Sequence, residues 1–322
     1  MNRVYIFFIS LFIAILFLVI ERAFGIKWNY HPDAETYIYE SPVVALNLIE
    51  EGIISFFNNF YFLISLFLSS NIDYLIILNM IIYSLTNIVI YDIINEYKKI
   101  NVNNLSFWIL VLIPYRLHLS VHVLKDTLII FFLFLIFSKN VFSKSSFLFI
   151  LLMRVFSVFY FVVLIPSKYY KVLFVFILSL IIFFNTQISS FLSEKNEVSM
   201  TFREFDNVPT FSEFGLFGIF IRAIIWPFLT MTGLYLFISP SIAFFPVALG
   251  SFIVQLWCKF YLKVNGIVLQ VYFSCFLIAL FVNGFTSYLR YTFPLILIIP
   301  IILLEKKYGF YKKSMIIRKK II

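Results

Sequence analysis

Charge is what this sequence has least of. Of its 322 residues only 13% are Asp, Glu, Lys or Arg, against 62% apolar and 21% aromatic. That composition leaves too little polar surface for a soluble domain of this length. The chain also lacks the roughly ten-residue segments of alternating polarity that a membrane β-barrel requires. Its two cysteines, Cys258 and Cys275, both lie in apolar runs and read as packing residues rather than a disulfide or metal site. There is no Gly-rich phosphate loop, no redox motif and no Ser-His-Asp order. No internal repeat, Gly/Ser linker or low-complexity block divides the chain, so one domain is expected.

What remains is a series of apolar runs, roughly 4–20, 74–94, 105–117, 119–138, 172–185, 240–258, 264–282 and 289–304. Three more, 53–69, 147–166 and 216–238, are apolar but interrupted. The expected fold is all-α and polytopic, with about 8–11 transmembrane or re-entrant helices and an outward-facing polar cavity. The first run has no small-residue cleavage site before Glu21-Arg22, so it reads as a retained signal-anchor helix.

Basic residues orient the chain. With a cytoplasmic N-terminus, the inner segments and the tail hold 16 of the 25 Lys and Arg residues, with only Asp92, Glu96 and Glu305 among the acids. Residues 1–305 then form the transmembrane domain, with outer loops at 21–52 and 185–215, and 306–322 form a basic cytoplasmic tail. The net charge of +9 is thereby explained by a tail that anionic lipid attracts, and nucleic-acid binding is not expected. The expected location is a bacterial inner membrane, with both termini cytoplasmic.

One polar stretch breaks the apolar pattern. Arg116, His118, His122, Lys125 and Asp126 fall within eleven residues between two greasy runs. A continuous helix would place His118, His122, Lys125 and Asp126 on one face. Charged groups at the edge of a bilayer core are costly and mark substrate or ion paths. The first outer loop adds His31, Asp33, Glu35, Tyr37, Tyr39 and Glu40, so all three histidines share one side. A zinc site on His118 and His122 fits helical spacing, but Lys125 on the same face and the absence of nearby cysteine argue against it; no metal and no cofactor are expected.

Carboxylates in one loop and cations in others suit transfer from a phosphate-linked lipid. Arg holds a phosphate bidentately, and a carboxylate takes the acceptor hydroxyl proton. Asp33 and Glu35 are the base candidates. Arg116, His118, His122, Lys125, Asp126, Arg154, Arg222 and Arg290 are the candidates for binding substrate and pyrophosphate, with Arg203 weaker. Arg154, inside an apolar run, is either paired within the bundle or at the tip of a re-entrant hairpin.

Several short features together resemble the bacterial O-antigen and capsule repeat-unit polymerases, within the C-type membrane glycosyltransferase fold. They are Asp33-Ala-Glu35-Thr-Tyr37 in the first outer loop, Lys125-Asp126 opening a span after Pro114 and Arg116, the buried Arg154, Pro227-Phe228 after an outer loop, and Asn283-Gly-Phe-Thr286-Ser-Tyr-Leu-Arg290 before the last span. The last departs from the family's Asn-x-Gly-Thr-x-x-Arg pattern in the place of its glycine. The resemblance implies block transfer of a polyprenyl-pyrophosphate-linked glycan onto another lipid-linked repeat unit at the outer face of the inner membrane. Its implied partners are that donor and acceptor, the bilayer, a chain-length regulator and a flippase. The competing expectations are a C-type enzyme adding one sugar from a polyprenyl phosphate, and a lipid-linked oligosaccharide flippase or other transporter.

Overall fold

The computed structural model describes residues 2–51, 56–57, 59–97, 104–138, 143–164, 215–232, 268–282 and 287–298, with a few single residues between. Among these the chain is helical and contains no strand. It divides into two compact units, Met1–Val155 with Pro300–Ile322, and Phe156–Ile299. The polar loop 185–215 short of Gly215, with Arg203, the apolar run 240–258, with Cys258, and the tail 306–322 lie outside the described residues.

In the first unit, α1 (Arg3–Ala23) and α5 (Ile72–Tyr97) are the two described helices long and apolar enough to cross a membrane. The two bury different kinds of face. α1 buries Ile6, Ser10, Ala14 and Glu21, at spacings of four, four and seven residues, while Tyr5, Phe8, Phe12, Leu16 and Val19 are exposed. α5 buries Asn79, Ser84, Thr86 and Asn87 together with large apolar residues such as Leu75, Met80, Tyr83 and Ile90, while Tyr74 and Ile77 are exposed. α1 thus turns its large apolar residues outward, while α5 buries polar and large apolar residues together. The two helices run antiparallel. Arg3 Nε donates to Asp92 Oδ1 at 3.0 Å at one end, while Asn79 of α5 reaches the chain beside Glu21 at the other.

α1 begins on Asn2, whose side chain accepts from the Val4 N–H at 3.1 Å. It ends in a Schellman turn. Gly25 N–H donates to the Arg22 carbonyl at 3.0 Å and Ile26 N–H to the Glu21 carbonyl at 2.9 Å, with Gly25 at φ +78°. That turn sends residues 26–31 back over the end of the helix. His31 then caps α2 (Pro32–Tyr39) with its backbone, Pro32 supplying the first helical position, so the imidazole is not used as a cap. α2 buries Ala34, Tyr37 and Ile38, one helical face. Tyr37 packs edge-on against Tyr61, ring centroids 4.6 Å apart, on α4 (Phe60–Phe67), and α3 (Ser41–Glu51) follows α2.

Proline divides the next apolar run. α6 (Asn104–Val111) stops before Pro114, which opens α7 (Pro114–Ser120) at its first position. Pro114 has no N–H for the Leu110 carbonyl, and Arg116 Nη1 fills that place at 2.9 Å. The Val111 carbonyl takes the Tyr83 hydroxyl at 2.8 Å.

The continuous helix expected through Arg116–Asp126 is not formed. α7 ends at Ser120, and α8 (Asp126–Phe137) starts at Asp126. β-branched Val121 and Val123 weaken the helix between them, and side chains replace the missing helical donors. Asn79 Nδ2 donates to the His122 carbonyl at 2.6 Å and the Leu124 carbonyl at 3.0 Å, and Thr127 Oγ1 donates to the Leu119 carbonyl at 2.9 Å. α8 packs on α9 (Ser143–Met153), and a 3-10 helix covers Val155–Leu164.

The second unit pairs α10 (Gly215–Thr232, with Pro227 inside it) with α11 (Val268–Phe281). Trp226 fills its core, with Phe285 and Tyr288 each at 5.4 Å between ring centroids. Tyr160 donates to the Tyr291 carbonyl at 2.6 Å on the helix through residues 287–298.

Candidate functional site

Where α1 stops, four titratable side chains from three parts of the first unit meet. Glu21 Oε1 is 2.6 Å from His118 Nδ1, and Glu21 Oε2 is 2.9 Å from His122 Nε2. His118 Nε2 is in turn 2.8 Å from His31 Nε2, and His122 Nδ1 is 3.3 Å from the Trp28 carbonyl. All three histidines of the chain are therefore in one hydrogen-bonded chain around a single carboxylate. Glu21, His118 and His122 are buried, and His31 is half-buried.

Each member has a local reason for its position. Glu21 is on the buried face of α1, seven residues after Ala14. His31 arrives through the Gly25 turn. His118 is in the last turn of α7, and His122 is in the interhelical turn that Asn79 fastens to α5. Tyr30 lies over the group, its ring 5.3 Å from His31, 5.5 Å from His118 and 6.1 Å from His122. Burial, and then the charge of Glu21, push the Tyr30 hydroxyl above its ordinary range.

The other expected site residues are distributed differently. Asp126 turns to Arg154, its Oδ1 2.7 Å from Arg154 Nη2, both buried. Of the two readings for Arg154, the structure shows the paired one. Asp126 sits at the positive end of α8 and Arg154 follows the negative end of α9, so both helix dipoles favour the pair. Lys125 is buried with Nζ 6.0 Å from the Tyr37 ring centroid. Arg116 is buried, its guanidinium 4.8 Å over the Tyr83 ring and bonded to the Leu110 carbonyl, and among the described residues Nη2 has no hydrogen-bond partner.

The two first-loop acids are not equivalent. Glu35 is exposed and accepts from Asn29 Nδ2 at 2.7 Å, whereas Asp33 is half-buried. Arg222 and Arg290 belong to the second unit, and both are buried. Arg222 gives Nε to the Ala279 carbonyl at 3.0 Å and Nη2 to the Leu280 carbonyl at 3.1 Å, capping the end of α11.

Sequence reasoning did not select Glu21, His31, Tyr30 or Asn79. A signal existed for Glu21: a lone carboxylate at the end of an apolar helix, in phase with Ser10 and Ala14 on an otherwise greasy surface. No family model matches the chain, and no curated protein or solved structure matches it either.

Proposed function

We propose that the protein is a multi-pass inner-membrane glycosyltransferase that polymerises polyprenyl-pyrophosphate-linked repeat units at the outer face of the membrane. The observation that carries the reading is the polar centre at the end of α1. Glu21 and the three histidines gather there, with His31 one residue before the helix that carries Asp33 and Glu35, on a unit with two long apolar helices, of which α1 turns large apolar residues outward. The antiparallel α1–α5 pair supports the topology, because Arg3 and Asp92 share the end assigned to the cytoplasm.

In the proposed reaction, the acceptor sugar hydroxyl attacks the anomeric carbon of the donor glycan. The bond from that carbon to the pyrophosphate oxygen breaks, polyprenyl pyrophosphate leaves with the electron pair, and a carboxylate takes the hydroxyl proton. Asp33 is the preferred base, since its half-buried position on α2 adjoins the centre in sequence and Glu35 faces outward. Lys125 and Arg116 supply the cations of the first unit.

The test is the surface-polysaccharide ladder of cells lacking the gene, complemented with wild type, Asp33→Asn or Glu35→Gln. Deletion should leave lipid core capped by one repeat unit, and wild type should restore the ladder. Asp33→Asn should fail to do so while still accumulating in the membrane, and Glu35→Gln should restore more of it. A ladder of full intensity from Asp33→Asn removes Asp33 from the chemistry.

A second reading, a transporter of lipid-linked oligosaccharide, is favoured by the hydrogen-bonded chain His31–His118–Glu21–His122, because buried titratable chains also serve as proton relays. It expects no capped core at all in the deletion strain.

A further inference from the structure

We infer that Glu21, His118 and His122 form a binding site for a divalent transition-metal ion of the zinc class. The ligand atoms are a Glu21 carboxylate oxygen, His118 Nδ1 and His122 Nε2, all within 4.8 Å of one another and all on buried side chains. Two imidazoles and a carboxylate are a ligand set that zinc takes in open sites, whereas magnesium and calcium prefer all-oxygen sets.

Hydrogen-bond accounting favours a cation here. His122 faces acceptors at both nitrogens, the Glu21 carboxylate at 2.9 Å and the Trp28 carbonyl at 3.3 Å. A neutral imidazole has one N–H and serves only one of them. With a metal on Nε2, the Nδ1 proton of His122 goes to the Trp28 carbonyl. With the metal on His118 Nδ1, the Nε2 proton of His118 goes to His31 Nε2, 2.8 Å away. Both ligating histidines then have their remaining N–H engaged, the outer-shell arrangement that orients such ligands and fixes their tautomers. His31 is thus a positioning residue.

The argument that disfavoured zinc from the sequence does not apply to the folded chain. It placed Lys125 on the histidine face of one continuous helix, which breaks between Ser120 and Asp126, and it counted the lack of nearby cysteine, which a carboxylate ligand from α1 makes unnecessary. The third ligand comes from α1, 97 residues before His118. Tetrahedral ligand atoms about 2.0–2.1 Å from zinc are roughly 3.3 Å apart, so the contacts of 2.6 Å to one Glu21 oxygen and 2.9 Å to the other need to widen by under an ångström, while wider separations in the set, none above 4.8 Å, close toward the same value. Three protein ligands leave a fourth position open to water or another oxygen donor.

The inference is independent of the glycosyl-transfer reading, since its test is binding and not activity. Full-length protein purified in detergent is stripped with a chelator and titrated with zinc against a chromophoric competitor, then with cobalt(II) as a spectroscopic stand-in. The expected result is one zinc per chain, the visible absorption of four-coordinate cobalt, and no displacement by excess magnesium. Glu21→Gln and His122→Ala should each weaken zinc affinity by more than His31→Ala, for which about a 10- to 100-fold loss is expected. Helical circular dichroism of each stripped variant checks that it is folded, and the wild-type titration needs no variant. Wild type that takes up no zinc, or folded Glu21→Gln and His122→Ala proteins of unaltered affinity, overturn the inference and leave Glu21, His118 and His122 as a hydrogen-bonded group.

Discussion

The two units bury arginine in different ways. In the second, Arg222 is answered by backbone, the Ala279 and Leu280 carbonyls at the end of α11, and lies 5.2 Å over Trp226. In the first, Arg116 is likewise held by backbone, at the Leu110 carbonyl, but Arg154 and the buried acids are answered by side chains far along the chain, Glu21 by His118 and His122, and Asp126 by Arg154. A helix end offers partial charges that never change, so a guanidinium held there is fixed structure. A group of carboxylate and imidazoles changes its protons, exchanges them for a metal, or passes them on. The first unit is therefore where chemistry is expected, although both units bury positive charge.

Within the first unit the same contrast separates the Asp126–Arg154 pair from the histidine centre. Removing one partner of a buried pair leaves the other charge without compensation, which costs about 3–5 kcal/mol. Asp126→Asn should therefore be the most destabilising change discussed here, read as a lower midpoint in thermal unfolding in detergent. The double variant Asp126→Asn with Arg154→Met should recover much of that loss, since neither charge of the pair is then left buried without the other. A single variant as stable as wild type would mean that Asp126 and Arg154 are compensated by other groups, and the pair would no longer count as the clasp between α8 and α9.

Arg222 sharpens the comparison from the other unit. Arg222→Met strips the Ala279 and Leu280 carbonyls of their donors and should cost about 2–3 kcal/mol. Arg222→Lys keeps the charge without the fork and should recover only part of this. Both should lower the unfolding midpoint without changing zinc affinity or the polysaccharide ladder per folded molecule. A ladder lost in a fully stable Arg222→Lys protein would make Arg222 a substrate contact, and the division between backbone-held and side-chain-held charge would fail.

The helical class, both long helices and the polar centre were legible because each is a local signal. Runs of apolar residues read as helices, and five charged or titratable residues in eleven stand out against grease, whereas the run 105–117 reads straight through Pro114, where the structure divides it. The break at 121–125 was not legible, because it depends on Asn79 of α5 supplying donors to two carbonyls more than forty residues away. The same limit hid Glu21. Spacing alone links His118 to His122 and Asp126, but the fold gives the histidines a carboxylate from α1 and turns Asp126 toward Arg154. Asp33 and Glu35 look equivalent in sequence, yet the register of α2, with Ala34, Tyr37 and Ile38 inward, leaves them unequally buried.

The smallest expected effect tests how rigidly the histidine centre is positioned. Gly25, at φ +78°, has open space where a side chain would project, so substitution there is penalised by backbone conformation alone. Gly25→Ala should cost about 1 kcal/mol, and Gly25→Asn less, because Asn tolerates the left-handed region. If the loop from 26 to 31 is what presents His31 to His118, Gly25→Ala should also weaken zinc binding slightly while leaving Arg222-dependent stability untouched. If affinity is unchanged although stability falls, the centre is held by α1, α7 and Asn79 without help from the loop, and His31 follows rather than positions His118.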